Sequence, residues 1–290
     1  MWHKMSWSKF KNIVLLILIG TNICLILFVL HQHILNEYAQ RQIREQVQAF
    51  LSGNGISIAN EMIPSQMELK PQIVIRNREQ ERLWAENLLG GKIQEEARGG
   101  EIYRYQSPQG SLQFHEDGTF HGELNTNIYV AAEGEIVSYS KDVLGRIGFE
   151  GEEVMVRSAA MGEELYTEIT FCEEWNGIPI FNCNATLSYE NGVLVGISEG
   201  RKLNGTPVED TNQALISVPT ALFRFYHGMT AMGDVCSQIT EIVSGYQNTT
   251  SAGSGVCVLM PVWHITTDTG EYLLDTVTGE LSRMEQRTPS

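Results

Sequence analysis

The hydrophobic positions of this chain fall into three regimes. Residues 13–30, IVLLILIGTNICLILFVL, are apolar on every side, with 14 of 18 positions Leu, Ile, Val or Phe. As a helix this run rises roughly 27 Å, close to the hydrocarbon thickness of a bilayer. At about −0.3 to −0.6 kcal/mol for each such residue, insertion gains roughly −4 to −8 kcal/mol, enough to carry the polar Asn22. A transmembrane helix over 12–30 is the expectation. The second regime, HILNEYAQRQIREQVQAFL (33–51), has no Gly or Pro, and Ile43, Val47 and Phe50 recur at helical spacing. It predicts a helical stalk over 31–55, broken by Ser52-Gly53-Asn54-Gly55.

Beyond Gly55 helical spacing alternates with short period-two runs. NREQERLWAENLLGG (77–91) reads as a helix with Leu83, Leu88 and Leu89 on one side. The runs 101–107, 110–118 and 119–124 then alternate as strands, turning at Pro108-Gln109-Gly110 and Glu116-Asp117-Gly118. A second helix is expected over 138–149, with Ser140 as its N-cap. It precedes a three-stranded meander over 164–200, cut at Trp175-Asn176-Gly177 and Glu190-Asn191-Gly192. A third unit has helices over 212–228 and 234–246, then a hairpin or meander over 256–281 turning at Asp268-Thr269-Gly270 and Thr278-Gly279.

The fold class this predicts is α+β: one N-terminal transmembrane helix and stalk, then antiparallel β-sheets with helices packed on one face. The outer part divides into subdomains 56–132 and 133–290.

Charge sharpens the topology. Lys4, Lys9 and Lys11 precede the span and residues 1–30 hold no acid, so segment 1–11 is expected in the cytoplasm and the rest outside the cell membrane. A cleaved signal peptide would have a shorter apolar core and a small-residue cleavage site, and HQHILNEYAQ supplies none. The formal charge of −15 disfavours nucleic acid as a partner.

The C-terminal third carries a more specific pattern. Ile239–Tyr246, ITEIVSGY, ends in Gly245-Tyr246. It is followed by Pro261-Val262-Trp263 within LMPVWHI, by Gly270-Glu271-Tyr272, and by Thr278-Gly279-Glu280-Leu281. With the short basic N-terminus, single span and stalk, this resembles the YycH/YycI family, the YycI branch in particular. The helix-plus-meander units resemble PepSY modules. Members are membrane-anchored regulators of a WalK/YycG-type two-component sensor histidine kinase. The resemblance implies that kinase as partner, a sister YycH-like protein as a second one, and a non-enzymatic role in signal transduction. The competing class is a cell-wall enzyme or protease-inhibitory PepSY-like module. Within the motif, Pro261 is expected to open an edge strand or sit at a bulge. Trp263 and Ile265 should face the core and His264 the other side.

Candidate chemistry is sparse. Cys24 lies in the span, while Cys172, Cys183, Cys236 and Cys257 fall in an oxidisable compartment. A symmetric hairpin would set Cys172 opposite Cys183, and a last helix could bring Cys236 to Cys257. Four reduced core cysteines are the alternative. No cofactor is expected. His115 and His121 could flank a turn as metal ligands, but Glu116-Asp117-Gly118 is also ordinary turn chemistry. The chain lacks G-x-S-x-G, H-E-x-x-H and a phosphate-binding glycine loop. His227 and His264 read as structural, and Glu163-Glu164 and Glu173-Glu174 as solvated strand ends. Three Asn-x-Thr triplets begin at Asn184, Asn204 and Asn248. In the span, Gly20, Thr21 and Cys24 fall on one arc and Asn22 on the other side, two faces suited to helix partners. The plainer reading is that Asn22 bonds its own backbone.

Overall fold

The computed structural model describes residues 7–125, 130–131, 134–161, 164–250 and 256–284. Its contacts divide the chain into two units, Met1–Ser65 and Gln66–Ser290. The expected boundary at 132/133 falls outside the described residues, as does most of the expected cytoplasmic segment.

The first unit is dominated by α1 (Trp7–Gly53), a single helix of 47 residues. Span and stalk are one element, because no Gly-Pro signal interrupts them. Between Leu15 and Val29 every described side chain is exposed, the large apolar ones at 52–73 %. Among the described residues no helix is long and apolar enough to cross a membrane. Further on, Val47 and Leu51 are buried. The chain leaves the helix at Gly55, whose φ of 83° favours glycine. There the Ile56 amide closes on Leu51 O at 2.9 Å.

The second unit is α+β, built on one mixed sheet. One half runs β2 (Gln94–Ala97), β3 (Tyr103–Ser107), β4 (Gly110–Phe114), β5 (Thr119–Leu124), β9 (Val193–Arg201), β8 (Ile178–Glu190), β7 (Glu164–Trp175) and β6 (Gly151–Met161). The β5–β9 ladder joins the two expected subdomains. Asn176 (φ 53°) with Gly177, and Asn191 (φ 52°) with Gly192, make the two tight turns of the β7–β8–β9 meander. Helices α2 (Arg78–Leu89) and α3 (Ile136–Arg146) share its core with Tyr105, Phe114, Ile169, Phe171 and Leu187. Asn77 caps α2 by accepting from the Gln80 amide at 3.2 Å, and Gly90 ends it with φ 78°. The buried face of α2 is Trp84, Ala85, Leu88 and Leu89; Leu83, expected inside, is exposed. Ser140 is no cap. It lies buried within α3, bonding Ile136 O at 2.7 Å and Tyr189 Oη at 2.6 Å.

The other half is β10 (Pro207–Glu209), β1 (Gln72–Ile75), β12 (Val256–Thr267), β11 (Ile239–Thr250), β13 (Glu271–Asp275) and β14 (Leu281–Arg283), with helix α4 (Val218–Ala231). The helix expected over 234–246 is a strand from Ile239 onward. Ile239, Thr240, Ile242 and Val243 are β-branched, and β12 pairs all but Thr240, which sits at a bulge, through a long antiparallel ladder. Trp263 and Ile265 are buried as expected, and His264 bonds Glu271 at 3.0 Å.

Pro261 sits in a central strand rather than at an edge. On one side of β12, β1 pairs only as far as Leu259, and β13 begins only at Val262. The Pro261 carbonyl accepts from the Thr276 amide and hydroxyl on that same side. Its missing N–H therefore falls where one partner strand hands over to the next, and no ladder bond is lost.

Candidate functional site

The two halves of the sheet meet at a short parallel contact, Tyr246 in β11 against Ile180 in β8. Such an approach needs a residue without a side chain. A Cβ on Gly245 would run into the Phe181 ring and stand 2.7 Å from Pro179 O. Asn182 then substitutes for ladder bonds: its Nδ2 donates to Asn248 O at 2.8 Å and its Oδ1 accepts from Asn248 N at 2.7 Å. Trp175 packs on Tyr246 at 5.8 Å between ring centroids.

Beside this seam lies the densest set of buried polar groups. Glu173, in β7, is 4 % exposed; Lys202, directly after β9, is 1 % exposed; Cys183 is fully buried. The Glu173 carboxylate accepts from the Leu203 amide at 2.8 Å, and the Cys183 sulfur accepts from Asn248 Nδ2 at 3.6 Å. Lys202 Nζ stands 3.2 Å above the Trp84 ring centroid and donates to Leu203 O at 2.9 Å. Next to it, Glu81 is gripped by Arg76 through two bonds of 2.7 and 2.8 Å and accepts from Asn204 Nδ2 at 3.0 Å. The buried Oδ1 atoms of Asn204 and Asn248 have no hydrogen-bond partner among the described groups.

Burial sets the electrostatics. It pushes the Glu173 carboxyl up to about 7, against the opposing pull of the Lys202 charge and its hydrogen bonds. It brings Lys202 down to about 8, opposed chiefly by Glu173. The Cys183 thiol is held well above its ordinary value, first by burial and then by the Glu173 charge. Glu81 is also raised by burial, which Arg76 only partly offsets. A thiol held in its neutral form is a poor nucleophile. The cluster can hold or release a proton near neutrality, but neither Cys183 nor Lys202 presents a reactive atom to solvent.

The residues singled out from sequence are dispersed. Gly20, Thr21, Asn22 and Cys24 lie on exposed α1, where Thr21 Oγ1 and Asn22 Nδ2 both donate to Leu18 O, at 2.9 and 2.8 Å. Asn22 thus bonds its own backbone. No cysteine forms a disulfide. Cys172 stands opposite Asn184, because a bulge shifts the ladder after it, and its thiol donates to Ile180 O. Cys257 pairs with Thr250 and Val74 at the start of β12. Cys236 precedes Ser237, which bonds Asp268 beyond the far end of that strand. Eleven strand residues separate those ends by roughly 36 Å, so the expected 236–257 bridge is excluded.

The C-terminal motif is structural. Gly245 and Tyr246 form the seam, and Tyr246 Oη donates to Lys70 O at 3.1 Å. Val262, Trp263 and Tyr272 are core residues, and Tyr272 Oη donates to Asp234 at 2.9 Å. Asp275 accepts from the Thr278 amide, Thr278 Oγ1 from the Glu280 amide, and Gly279 takes φ 70° against the Arg224 side chain. His115 bonds Gln113, His121 stands 3.8 Å from Glu123, and His227 packs on Tyr226. Among the described residues no group of three or more His, Cys, Asp or Glu side chains converges as for a metal ion. Asn204 and Asn248 are 2 % exposed, so neither amide is open to glycosylation in the folded protein.

Glu173 corrects the reading of Glu173-Glu174 as a solvated strand end. The signal was present: period-two alternation from Ile169 and Phe171 points to Glu173. Lys202, Asn204 and Glu81 had no such signal, since their burial comes from packing between distant segments. No family model matches this chain, and no curated protein matches it in sequence. Among solved structures it is similar to an uncharacterized protein from Eubacterium rectale ATCC 33656, at 11 % identity and TM-score 0.41, over 74 % of this chain and 82 % of that one.

Proposed function

We propose that this protein is a non-enzymatic, single-pass regulator of a membrane sensor histidine kinase. In this reading α1 spans the cell membrane, the N-terminus is cytoplasmic and the α+β unit lies outside. The observation that carries it is the apolar belt of α1. From Leu15 to Val29 large apolar side chains are more than half exposed all around the helix. An apolar surface of that extent is unstable in water and requires lipid or an equally apolar partner. The same helix continues without a break to buried Val47 and Leu51, so motion of the span is passed along a rigid rod.

The kinase as partner rests on the likeness of the basic N-terminus, span, stalk and C-terminal motif to the YycI branch, with PepSY-like helix-plus-meander units outside. A sister YycH-like protein is the second partner of the same reading. In the core of the span, the shared bond to Leu18 O lowers the cost of placing Asn22 in lipid.

The test is co-purification from native membranes. The full chain is expected to recover a histidine kinase, and a chain lacking residues 1–30 to recover much less. Absence of any kinase from crosslinked, detergent-extracted full-length material would overturn the proposal.

A further inference from the structure

Next to Glu173 the α+β unit holds a cavity of about 250 Å³, walled by Trp84 and Trp175, with Glu150, Glu173, Glu174 and Leu203 among its lining. We propose that this cavity binds a small organic ammonium ion. The inference is independent of the kinase reading.

Three observations converge on that ligand. The lining contains three carboxylates and no Lys, Arg or His. The buried carboxylate, Glu173, takes a hydrogen bond from the Leu203 amide at 2.8 Å and forms no ion pair within 4 Å among the described residues. The nearest cation, Lys202, is committed elsewhere, with its ammonium on the Trp84 ring and its proton on Leu203 O. The other two carboxylates, Glu150 and Glu174, outnumber the single Lys202 charge, so a net negative field remains in the cavity whether or not Glu173 is ionised.

The walls select the kind of cation. Two indoles line the cavity, and their hydrocarbon suits an alkylated ammonium better than a strongly hydrated metal ion. The carboxylates do not converge as metal ligands do. Trp84 already carries an ammonium group, that of Lys202, so this indole serves as a cation platform within the fold itself. Gly148 (φ 66°) keeps its place beside that indole, since a Cβ there would run into Trp84 Nε1. The ligand's charge would lie toward Glu173, with its carbon atoms against Trp84 and Trp175.

The test uses the full chain in lipid nanodiscs, titrated with tetramethylammonium or n-butylammonium chloride while indole N–H resonances are followed. Saturable shifts are expected for Trp84 and Trp175, with buried Trp263 unmoved. The neutral isosteres tert-butanol and n-butanol should bind about tenfold more weakly, since they carry no charge for the cavity's carboxylates. Glu173→Gln keeps an acceptor for the Leu203 amide and should weaken ammonium binding by about tenfold. Trp175→Ala, at a half-buried wall position, should weaken it as well, so the test survives if one variant fails to fold. The proposal is overturned if neither ammonium gives a saturable shift. Equal binding of the neutral isosteres overturns it too, as does undiminished binding in whichever of the two variants folds.

Discussion

At the scale of single residues, one carboxyl dominates. Glu173 is driven into the interior by strand alternation and denied an ion pair there, and burial lifts its pKa from an ordinary value of 4.5 to about 7. The folded protein therefore binds more protons than the unfolded chain between those two values. Stability falls as pH rises through that window, and the penalty for ionisation is fully present above about 7, on the order of 3 kcal/mol. Glu173→Gln removes the titration. Urea unfolding of both proteins at pH 5 and pH 7.5 should show the variant gaining on the wild type at the higher pH. An equal difference at both values would mean that Glu173 does not titrate there. Lys202, itself brought down to about 8 and held up chiefly by Glu173, is coupled to this titration, so the comparison reports the Glu173–Lys202 pair.

At the scale of elements, the seam between β8 and β11 is the tightest fit. Gly245 has no room for a methyl group, because the Phe181 ring and the Pro179 carbonyl occupy the place of its Cβ. Gly245→Ala must push the two halves of the sheet apart or displace Phe181. A loss of about 1–3 kcal/mol is expected, read as a lower urea midpoint at unchanged slope. The motif around Gly245 and Trp263 was legible in the sequence as a pattern, but the element carrying Gly245 was not. A helix over 234–246 looked plausible because Ile239, Ile242, Val243 and Tyr246 also fall near helical spacing. The ladder to β12 decided for a strand, and β-branched residues fit its pleat. Leu83 and Ser140 show the same limit: their helices were legible and Leu88 and Leu89 lie on the buried face, but Leu83 is exposed and Ser140 is buried within its helix.

At the scale of the whole molecule, α1 defines the behaviour of the chain. With its belt from Leu15 to Val29 uncovered, the full chain should partition into membranes and aggregate once detergent is removed. Deletion of residues 1–30 should release it from the membrane fraction on alkaline extraction. A full chain that stayed soluble and monodisperse without detergent would contradict the proposal that α1 spans a membrane.

Some properties were set by local chemistry, and these the sequence determined alone. The long apolar run, the break at Ser52–Gly55, the Asn-Gly turns and the α+β alternation follow from solvation, glycine's freedom and side-chain period. Each acts within a few residues of chain. Only the tertiary structure decided which strands from distant segments pair, that β8 meets β11 in parallel, and that Cys236 and Cys257 lie apart. It also decided that Glu173, Lys202 and Trp84 share one interior. Those outcomes depend on contacts between residues as distant in the chain as Gln72 and Leu259, where burial and not local preference sets the free energy.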